Sequence, residues 1–306
     1  MFISSKAEVA MANARMGKGS GKLLLLAPAL IIIGLTTIYP LSNSFLLSFQ
    51  SWKLSQSQTP AGFVGLANYI RAFQDPYFLN SVIVTLLFTV ISVSMTIVLG
   101  LGIALILFKA NRFNTLVRAT LIFPYAVSAA LKGYSWRFML MPEYGIYHVM
   151  IGTLFPFLKD TVWLAEPGWA LFWLATSEVW GWAPLYALMF IGALGSISPE
   201  IWEAAKVDGA KSAQVFFRIT LPMLAPVVIV ATLLKTIFSL KLFDQVVTMT
   251  SGGPGRATQT LNFYVYQQGF RFLDMGYASA LAYLLLIGLG IFAYLYVKVL
   301  YGRQGV

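Results

Sequence analysis

The chain contains no cysteine and only one histidine, His148. Without cysteine, neither a disulfide framework nor a thiolate metal site can form. A single histidine cannot build a zinc site or a catalytic pair with a second imidazole. These absences exclude disulfide-stabilised folds and the common cysteine- and histidine-based metal and catalytic sites.

Charge is also scarce. Only 10% of the 306 residues are charged, 58% are hydrophobic, and the mean hydropathy is +0.77. An average globular domain carries about 25% charged residues, so this chain cannot cover a water-facing surface of normal size. The surplus apolar surface must face lipid, and the sequence predicts an all-α integral membrane protein.

Six apolar runs reach the length of about 20 residues that crosses a hydrocarbon layer. The first is too long, and has the wrong flank, for a cleaved signal peptide. The third and fourth are weaker, because Lys132, Arg137 and Glu178 interrupt them. We therefore predict a basic N-terminal tail, 1–22, followed by a transmembrane domain, 23–306. The predicted spans are approximately 23–49, 80–108, 117–141, 168–195, 224–248 and 277–300.

The positions of the basic residues predict the orientation. With a cytoplasmic N-terminus, twelve of the 21 Lys and Arg residues fall in cytoplasmic segments. Only Lys53, Arg71, Lys159, Arg256 and Arg271 fall in outer loops. The positive-inside rule thus predicts that both termini are cytoplasmic. The net charge of +10 follows mostly from this topology and does not indicate nucleic-acid binding.

The second inner loop, 198–222, is long and polar. Ser198 and Pro199 are typical of a helix N-cap followed by proline at the first helical position. This helix is predicted to end at Gly209, since glycine readily adopts the left-handed conformation after a helix. A second helix is predicted from about Ser212 to just before Pro222, because the residue before proline avoids the α region.

The same loop carries a motif. It consists of Glu-Ala-Ala, then glycine after three residues, then Ile-x-Leu-Pro after nine more. This pattern resembles the EAA signature of permease subunits of bacterial ABC importers. The resemblance implies a cytoplasmic coupling helix in a groove of an ATPase subunit. Glu203 would pair there with a basic residue, and Gly209 would allow the bend. The implied coupling residues are Glu203, Ala204, Ala205, Asp208, Gly209, Ile219, Leu221 and Pro222.

One face of the first loop helix would hold Ile201, Ala204, Ala205 and Asp208, at spacings of three and four residues. The two alanines on that face would let the backbone of another protein come close.

Three further stretches resemble the carbohydrate-uptake group of these permeases: FVGLANYIRAFQDPYFLNS (63–81), TLIFPYAVSAA (120–130) and TSGGP (250–254). Apart from its N-terminal tail, the chain is similar to the first permease of a heterodimeric sugar or glycerol-phosphate importer. Its plan is that of the maltose system without the extra N-terminal spans. The implied partners are a second homologous permease, two cytoplasmic ATPase subunits and a periplasmic solute-binding protein. ATP and Mg²⁺ would be bound by the ATPase subunits, and no cofactor by this chain.

The stretch GKGSGK (17–22) is not a phosphate-binding loop. That motif requires Ser or Thr after its lysine, whereas Leu23 follows Lys22. We expect a basic tail near anionic lipid headgroups instead, and no catalytic activity in this chain.

Ionisable residues inside spans usually face a cavity, a partner or each other. In span four, Glu178, Trp182 and Tyr186 form one stripe, and Gly181 and Pro184 would bend the helix. Aromatic rings beside such groups suit a sugar, whose C–H face stacks while its hydroxyls form hydrogen bonds. Ordinary helix packing with a membrane-edge tryptophan belt is the alternative.

Span five carries two polar lines. Lys235 lies about 12 residues into the span, or about 18 Å, a depth comparable with that of Glu178. A buried Glu178–Lys235 pair is therefore possible and would be structural, and Lys241 and Asp244 could neutralise each other. By resemblance, the polar segment before Gly-Gly-Pro lines the sugar site. The first line holds Thr232, Lys235 and Ser239, and the second Lys241, Asp244, Gln245 and Thr248.

In span three, Lys132 lies at helical spacing with Ser128 and Ser135. The spans thus contain more cationic than anionic side chains. This excess favours a solute with an anionic group, such as glycerol phosphate or an acidic sugar.

Three other functions fit the composition less well. An ion-coupled secondary transporter is the main alternative, but the sequence shows no internal repeat and no use for the loop 198–222. A channel subunit would need a repeated polar face suited to a ring of identical subunits. An intramembrane enzyme is least compatible, since His148 falls in a predicted outer loop.

Overall fold

The structure is a computed structural model that describes residues 20–109 and 111–301. The predicted N-terminal tail therefore lies outside the described residues up to position 19, as does the start of GKGSGK. Residues 20–22 already belong to the first helix.

The described chain is predominantly helical. Its α-helices are α1 (Ser20–Ile33), α2 (Tyr39–Ser48), α3 (Ala67–Gln74), α4 (Pro76–Leu107), α5 (Arg112–Thr120), α6 (Phe123–Ala126), α7 (Ala129–Met139), α8 (Ile146–Leu154), α9 (Pro167–Gly195), α10 (Pro199–Val207), α11 (Ser212–Val215), α12 (Leu221–Leu240), α13 (Leu261–Tyr266) and α14 (Met275–Tyr301). Single-turn π-helical segments occupy Gly34–Ile38, Phe216–Thr220, Val246–Thr250 and Gln267–Arg271, and Pro156–Leu158 forms a 3₁₀ turn. Strands β1 (Gln50–Ser51) and β2 (Gly62–Phe63) pair in antiparallel fashion, with Gln50 opposite Phe63.

Four helical segments of the described chain are long and apolar enough to cross a membrane: Leu25–Ser48, Pro76–Leu107, Ser212–Leu240 and Met275–Lys298. A fifth candidate combines α9 with α10, which bends away from it by 73°. These segments correspond to five of the six predicted spans.

The predicted third span, 117–141, is not one continuous helix. The structure divides this region into α5, α6 and α7. Val127 has an extended backbone, and the hydroxyl of Ser128 caps α7 by accepting a hydrogen bond from the Leu131 N–H at 3.3 Å. Pro124 lacks an N–H, and a capping serine competes with helical hydrogen bonds, so the helix is interrupted.

The limits of the fifth span also differ from the prediction. The second loop helix does not end before Pro222, because α11 continues through Phe216–Thr220 into α12. A π-helical turn can absorb a proline that lacks its N–H. At the other end the helix stops at Leu240 instead of reaching position 248, and Lys241 is its C-cap.

The centre of the bundle is the contact of α4 with α9 and α12. At Gly100 the helices approach so closely that a Cβ atom would lie 3.2 Å from the Ala183 carbonyl oxygen. Small residues permit such backbone contact in membrane helices. The first span is different, since its most apolar stretch contains no buried residue. It therefore contributes a lipid-facing surface.

At the end predicted to face outside, side chains tie the loops to the helices. Arg71 of α3 pairs with Asp274 at 2.8 Å. Asp75, at the N-cap of α4, accepts hydrogen bonds from the hydroxyls of Tyr264 and Tyr277. Burial raises the pKa of Asp75, but these hydrogen bonds, together with those from the backbone N–H groups of Tyr77 and Phe78, lower it more, so the pKa lies below its ordinary value. The charged carboxylate thus holds α13 and α14 against α4.

Candidate functional site

A buried ion pair joins α9 to α12. The Lys235 ammonium donates to Glu178 Oε1 at 2.8 Å, and the two side chains are 0% and 7% exposed. The contact that their matching depths made possible is therefore present. Breaking a buried ion pair has a high free-energy cost, because either partner alone would be an uncompensated buried charge.

A second lysine, from α7, contacts the face of α9 that carries Glu178. Lys132 of α7 is 5% exposed, and its Nζ is so close to Gly181 that a Cβ there would lie 2.1 Å away. Gly181 is one turn beyond Glu178. In the described chain Lys132 forms no ion pair within 4 Å. Lys132 thus adds a second ammonium group near the Glu178–Lys235 pair, and the cluster has an excess positive charge.

Aromatic rings flank this charge cluster. Trp182 lies with its ring 5.3 Å from the Lys235 ammonium and 4.7 Å from the ring of Phe238. Its ring also contacts those of Tyr125 and Tyr186, at 5.1 and 6.1 Å. The structure therefore places the predicted stripe Glu178, Trp182 and Tyr186 beside Lys235, with Tyr186 buried.

The π-helical segment 246–250 packs directly on α7. A Cβ at Gly133 would lie 1.9 Å from Thr248 Oγ1 and 3.3 Å from the Gln245 Cα atom. Gln245 is fully buried, and neither atom of its amide has a hydrogen-bond partner in the described chain. These two predicted residues thus lie against the helix that carries Lys132.

Two other candidates lie apart. The prediction that Lys241 shares one helix face with Asp244, Gln245 and Thr248 is wrong, since the helix ends at Leu240 and resumes at Asp244. Lys241 is exposed and lines a lateral groove with Leu41. Asp244 is also exposed, and the described residues show no ion pair between these two side chains.

Sequence reasoning missed a row of hydroxyls on α4. Thr89, Ser92 and Thr96 are buried, and their hydroxyls find no partner among the described residues, as is also true of Ser239 on α12. Thr96 lies one turn from Gly100, which contacts α9. The spacing of these hydroxyls in an otherwise apolar helix was the available signal, because such positions share one face.

The first helix of the loop between α9 and α12 begins and ends where its sequence predicts. Helix α10 begins at Pro199 after Ser198, although the Ser198 hydroxyl makes no capping bond. Gly209 follows the helix with φ +72°. The N–H groups of Gly209 and Ala210 bond to the carbonyls of Lys206 and Ala205, at 3.0 Å each. This Schellman arrangement ends the helix at the predicted residue.

The predicted small-residue face of α10 is divided. Ala205 is 6% exposed, and Ile201 and Trp202 pack against the chain itself, with Trp202 5.4 Å from the ring of Phe108. Ile201 and Ala205 thus turn toward the chain itself, and only Ala204 and Asp208 of the predicted face remain exposed. The exposed side carries Glu203, Ala204, Asp208 and the almost fully exposed Val207.

The last part of the motif belongs to the start of the following span. Ile219 lies in the π-helical segment 216–220, and Leu221 and Pro222 open α12. Ile219 and Leu221 are half-buried, whereas Pro222 is exposed. Leu221 packs with the core cluster around Leu224. These residues connect the loop mechanically to α12.

A second feature that sequence reasoning missed is a cavity of about 430 Å³ between the segment 251–259 and the helical residues 263–272. Three glutamines, several aromatic rings and Arg256 line it. The lining residues are distant in sequence from Tyr77, which completes one wall. No local pattern could have assembled them.

Comparisons with known proteins add an independent observation. The family described as "Binding-protein-dependent transport system inner membrane component" matches residues 76–305. The sulfoquinovosyl glycerol transport system permease protein SmoG of Agrobacterium fabrum is 37% identical over 259 residues, covering 85% of this chain and 83% of that protein. The trehalose/maltose transport system permease protein MalF of Thermococcus litoralis is 33% identical over 276 residues, covering 90% of this chain and 92% of that protein. A crystal structure of a bacterial ABC transporter involved in the import of the acidic polysaccharide alginate matches the fold with a TM-score of 0.80 at 19% identity, covering 95% of this chain and 99% of that chain.

Proposed function

Because the chain belongs to the family of binding-protein-dependent transport system inner membrane components, we propose that it forms half of the path by which an ABC importer carries an anionic sugar or sugar derivative. The chain is a multi-pass inner-membrane permease of the sugar-importer type and not itself an enzyme. The nature of the solute, the path residues and the coupling contacts are the proposed part.

The excess positive charge at Lys132 carries the proposal. Lys235 and Glu178 neutralise each other at 2.8 Å, whereas Lys132 remains without an ion pair in the described chain. A cation at membrane depth costs a few kcal/mol, so it is expected to meet an anion during function. We propose that Lys132 receives the anionic group of the solute. The nearby rings of Tyr125 and Trp182 would contact the sugar ring.

The relatives leave the charge of the solute open. One is named for sulfoquinovosyl glycerol, a sulfonated sugar derivative, and the other for trehalose and maltose, which are neutral. Both names support a sugar-type solute for this chain, and Lys132 favours the anionic class.

We further propose the six-span topology with both termini cytoplasmic. The sixth crossing would be the broken segment α5–α7. Interrupted helices are tolerated at membrane depth where they line a cavity, and this segment carries Lys132. Breaks on both sides of α6 would leave backbone groups facing the path, in contact with water or solute.

The partners proposed are a second permease, two ATPase subunits that bind ATP and Mg²⁺, and a periplasmic binding protein. The EAA loop would dock on an ATPase subunit through Glu203, Ala204 and Asp208, which are exposed. This loop follows α9 and precedes α12, the two helices that the Glu178–Lys235 pair joins. Displacement of the loop would therefore move both helices as one body and change access to Lys132.

Replacement of Lys132 by glutamine tests the solute class. We expect ATP-driven uptake of an anionic sugar, such as a methyl glucuronide, to fall about tenfold or more, because a hydrogen bond to a charged group contributes about 1.5–3 kcal/mol. Uptake of the matched methyl glucoside should change little. The measurement is uptake of both labelled solutes by proteoliposomes that contain the complete importer.

Two further variants sharpen this test. Gly181→Ala keeps Lys132, but the new Cβ atom would push the Lys132 Nζ away from its position. This variant should therefore also lose uptake of the anionic sugar selectively. Lys53→Gln removes an exposed lysine and should alter neither solute. Equal losses for the two solutes in Lys132→Gln would contradict a role in anion recognition.

The same proteoliposomes address the ion-coupled alternative. Because the chain belongs to a binding-protein-dependent transport family, the ion-coupled alternative has no support from the comparisons. Uptake that requires ATP and persists when ion gradients are collapsed is the expected result. Uptake that follows an ion gradient and ignores ATP would contradict the importer assignment.

A further inference from the structure

We infer that the cavity bounded by the segment 251–259 and residues 263–272 is an outer sugar-binding subsite, distinct from the cluster around Lys132. The cavity measures about 430 Å³, within the range of small-molecule sites. It lies at the end of the bundle that the charge distribution predicts to face outside. The inference rests on the proposed function, since it assumes that a sugar enters from this side.

The walls of this cavity are preformed. The Thr258 hydroxyl contacts Thr250 Oγ1 at 2.7 Å and the Gly253 carbonyl at 2.6 Å, which fixes the loop on itself. Gly252 has φ +84°, and a Cβ there would lie 2.7 Å from Phe263. Glycine thus lets the loop rest directly on the aromatic wall. Asp75 holds Tyr264, another lining residue, through its hydroxyl.

Amide groups supply the polar contacts. Gln259, Gln267 and Gln268 all line the cavity. The Gln259 amide N–H donates to Gln267 Oε1, whereas Gln259 Oε1 is buried and has no partner in the described part of the chain. A buried acceptor without a donor is unfavourable, because it has lost its hydrogen bonds to water. A hydroxyl of a bound ligand would supply that donor.

The remaining walls are aromatic and without negative charge. The rings of Tyr77, Phe263 and Phe272 line the cavity, and those of Tyr77 and Phe272 are exposed. The Arg256 guanidinium stacks 3.3 Å from the centre of the Tyr77 ring, which orients its N–H groups. None of the described lining residues carries a carboxylate. Amides that both donate and accept, beside aromatic rings, match the hydroxyls and C–H faces of a sugar.

The absence of cysteine permits a direct test. Ser251 is exposed and lines the cavity, so Ser251→Cys places a single thiol of this chain at its rim. In the reconstituted permease complex without binding protein, maltose is the probe. We expect the thiol to react with maleimide only while the cavity is free of sugar. Maltose at about twice its Kd should therefore slow maleimide labelling about threefold. Mass spectrometry of this chain measures the rate over a maltose series.

Two variants serve as controls. Ser55→Cys places the thiol on an exposed part of another predicted outer loop, where maltose should not change the rate. Ser251→Cys combined with Gln267→Leu should label at the same rate without sugar and lose the protection. Gln267 is only half-buried, so the replacement should leave the fold intact.

The outcomes separate this inference from the proposed function. Unprotected labelling at Ser251→Cys, in a complex that still imports sugar with ATP, would overturn the subsite alone. Protection by sugar-free binding protein but not by maltose would also overturn it, because the cavity would then receive a protein side chain. Absence of ATP-driven sugar uptake in the parent complex would instead refute the proposed function.

Discussion

Replacement of Glu203 by lysine is expected to lower ATP-driven sugar uptake about a hundredfold or more, since truncating a buried interfacial charge pair costs about 2–5 kcal/mol and reversal adds repulsion. The side chain is exposed on α10 and forms no ion pair in the described chain. Its loss should therefore leave the fold of this subunit unchanged. Uptake and solute-stimulated ATP hydrolysis by the reconstituted importer are the measurements.

The matched control is Glu200→Lys. It makes the same charge change three residues earlier on the same exposed helix. We expect only a small effect there, from the weakened interaction with the helix N-terminus. A Glu203→Lys importer with normal uptake and normal ATP hydrolysis would refute the coupling role. Equal losses in both variants would show that the net charge of the loop, and not the position of Glu203, matters.

Replacement of Glu178 by alanine is expected to destabilise the subunit by about 3–5 kcal/mol, the usual effect of leaving one partner of a buried ion pair unpaired. Lys235 has no exposed surface, and its neighbour Lys132 is also cationic. Two buried ammonium groups would then face each other without a carboxylate. The thermal unfolding temperature of the purified complex measures the effect.

Two variants interpret the result. Glu178→Leu combined with Lys235→Met replaces the pair by apolar side chains of similar size and should recover most of the stability. Arg71→Ala breaks a pair whose arginine is half-exposed to solvent, and should therefore destabilise the subunit less than Glu178→Ala. If Glu178→Ala unfolds at the wild-type temperature, the Lys235 ammonium is not an isolated buried charge, and the pair is not a structural joint between α9 and α12.

Together these two predictions separate coupling from structure. The Glu203 side chain is exposed and is available to a partner subunit, whereas the Glu178 side chain is buried and pairs with Lys235 of its own chain. The α9–loop–α12 unit connects the two positions. A coupling defect should spare stability, and a defect in the ion pair should reduce both stability and transport.

Much of this organisation could be read from the sequence alone, because it depends on near neighbours. Hydropathy located five spans, since the length of an apolar run decides whether it can cross the bilayer. Proline at the start of α10 and glycine at its end act within one helical turn. Depth in the membrane also showed that a Glu178–Lys235 pair was possible across 57 residues of sequence, since an ion inside the membrane needs a partner at its own level. The EAA pattern indicated the family that the comparisons show.

Other features could not be read from hydropathy. The breaks around α6 come from the local signals Pro124 and the capping Ser128, next to the apolar residues 121–127. The remaining features depended on packing between distant segments. The face of α10 that turns inward was decided by Trp202 against Phe108. The end of α12 at Leu240 turned Lys241 away from Gln245. The outer cavity joins Tyr77 to residues near Gln259 and needed the assembled fold.

The position of Lys132 shows the same division most clearly. Its charge and approximate depth are properties of the sequence, so a functional interpretation was possible from composition and spacing. Its contact with Gly181, and thus the excess charge beside Glu178, is a property of tertiary structure. In a bilayer both faces of a helix can be apolar, so hydrophobicity alone does not orient it. Close packing at small residues does, and that required the positions of all the helices.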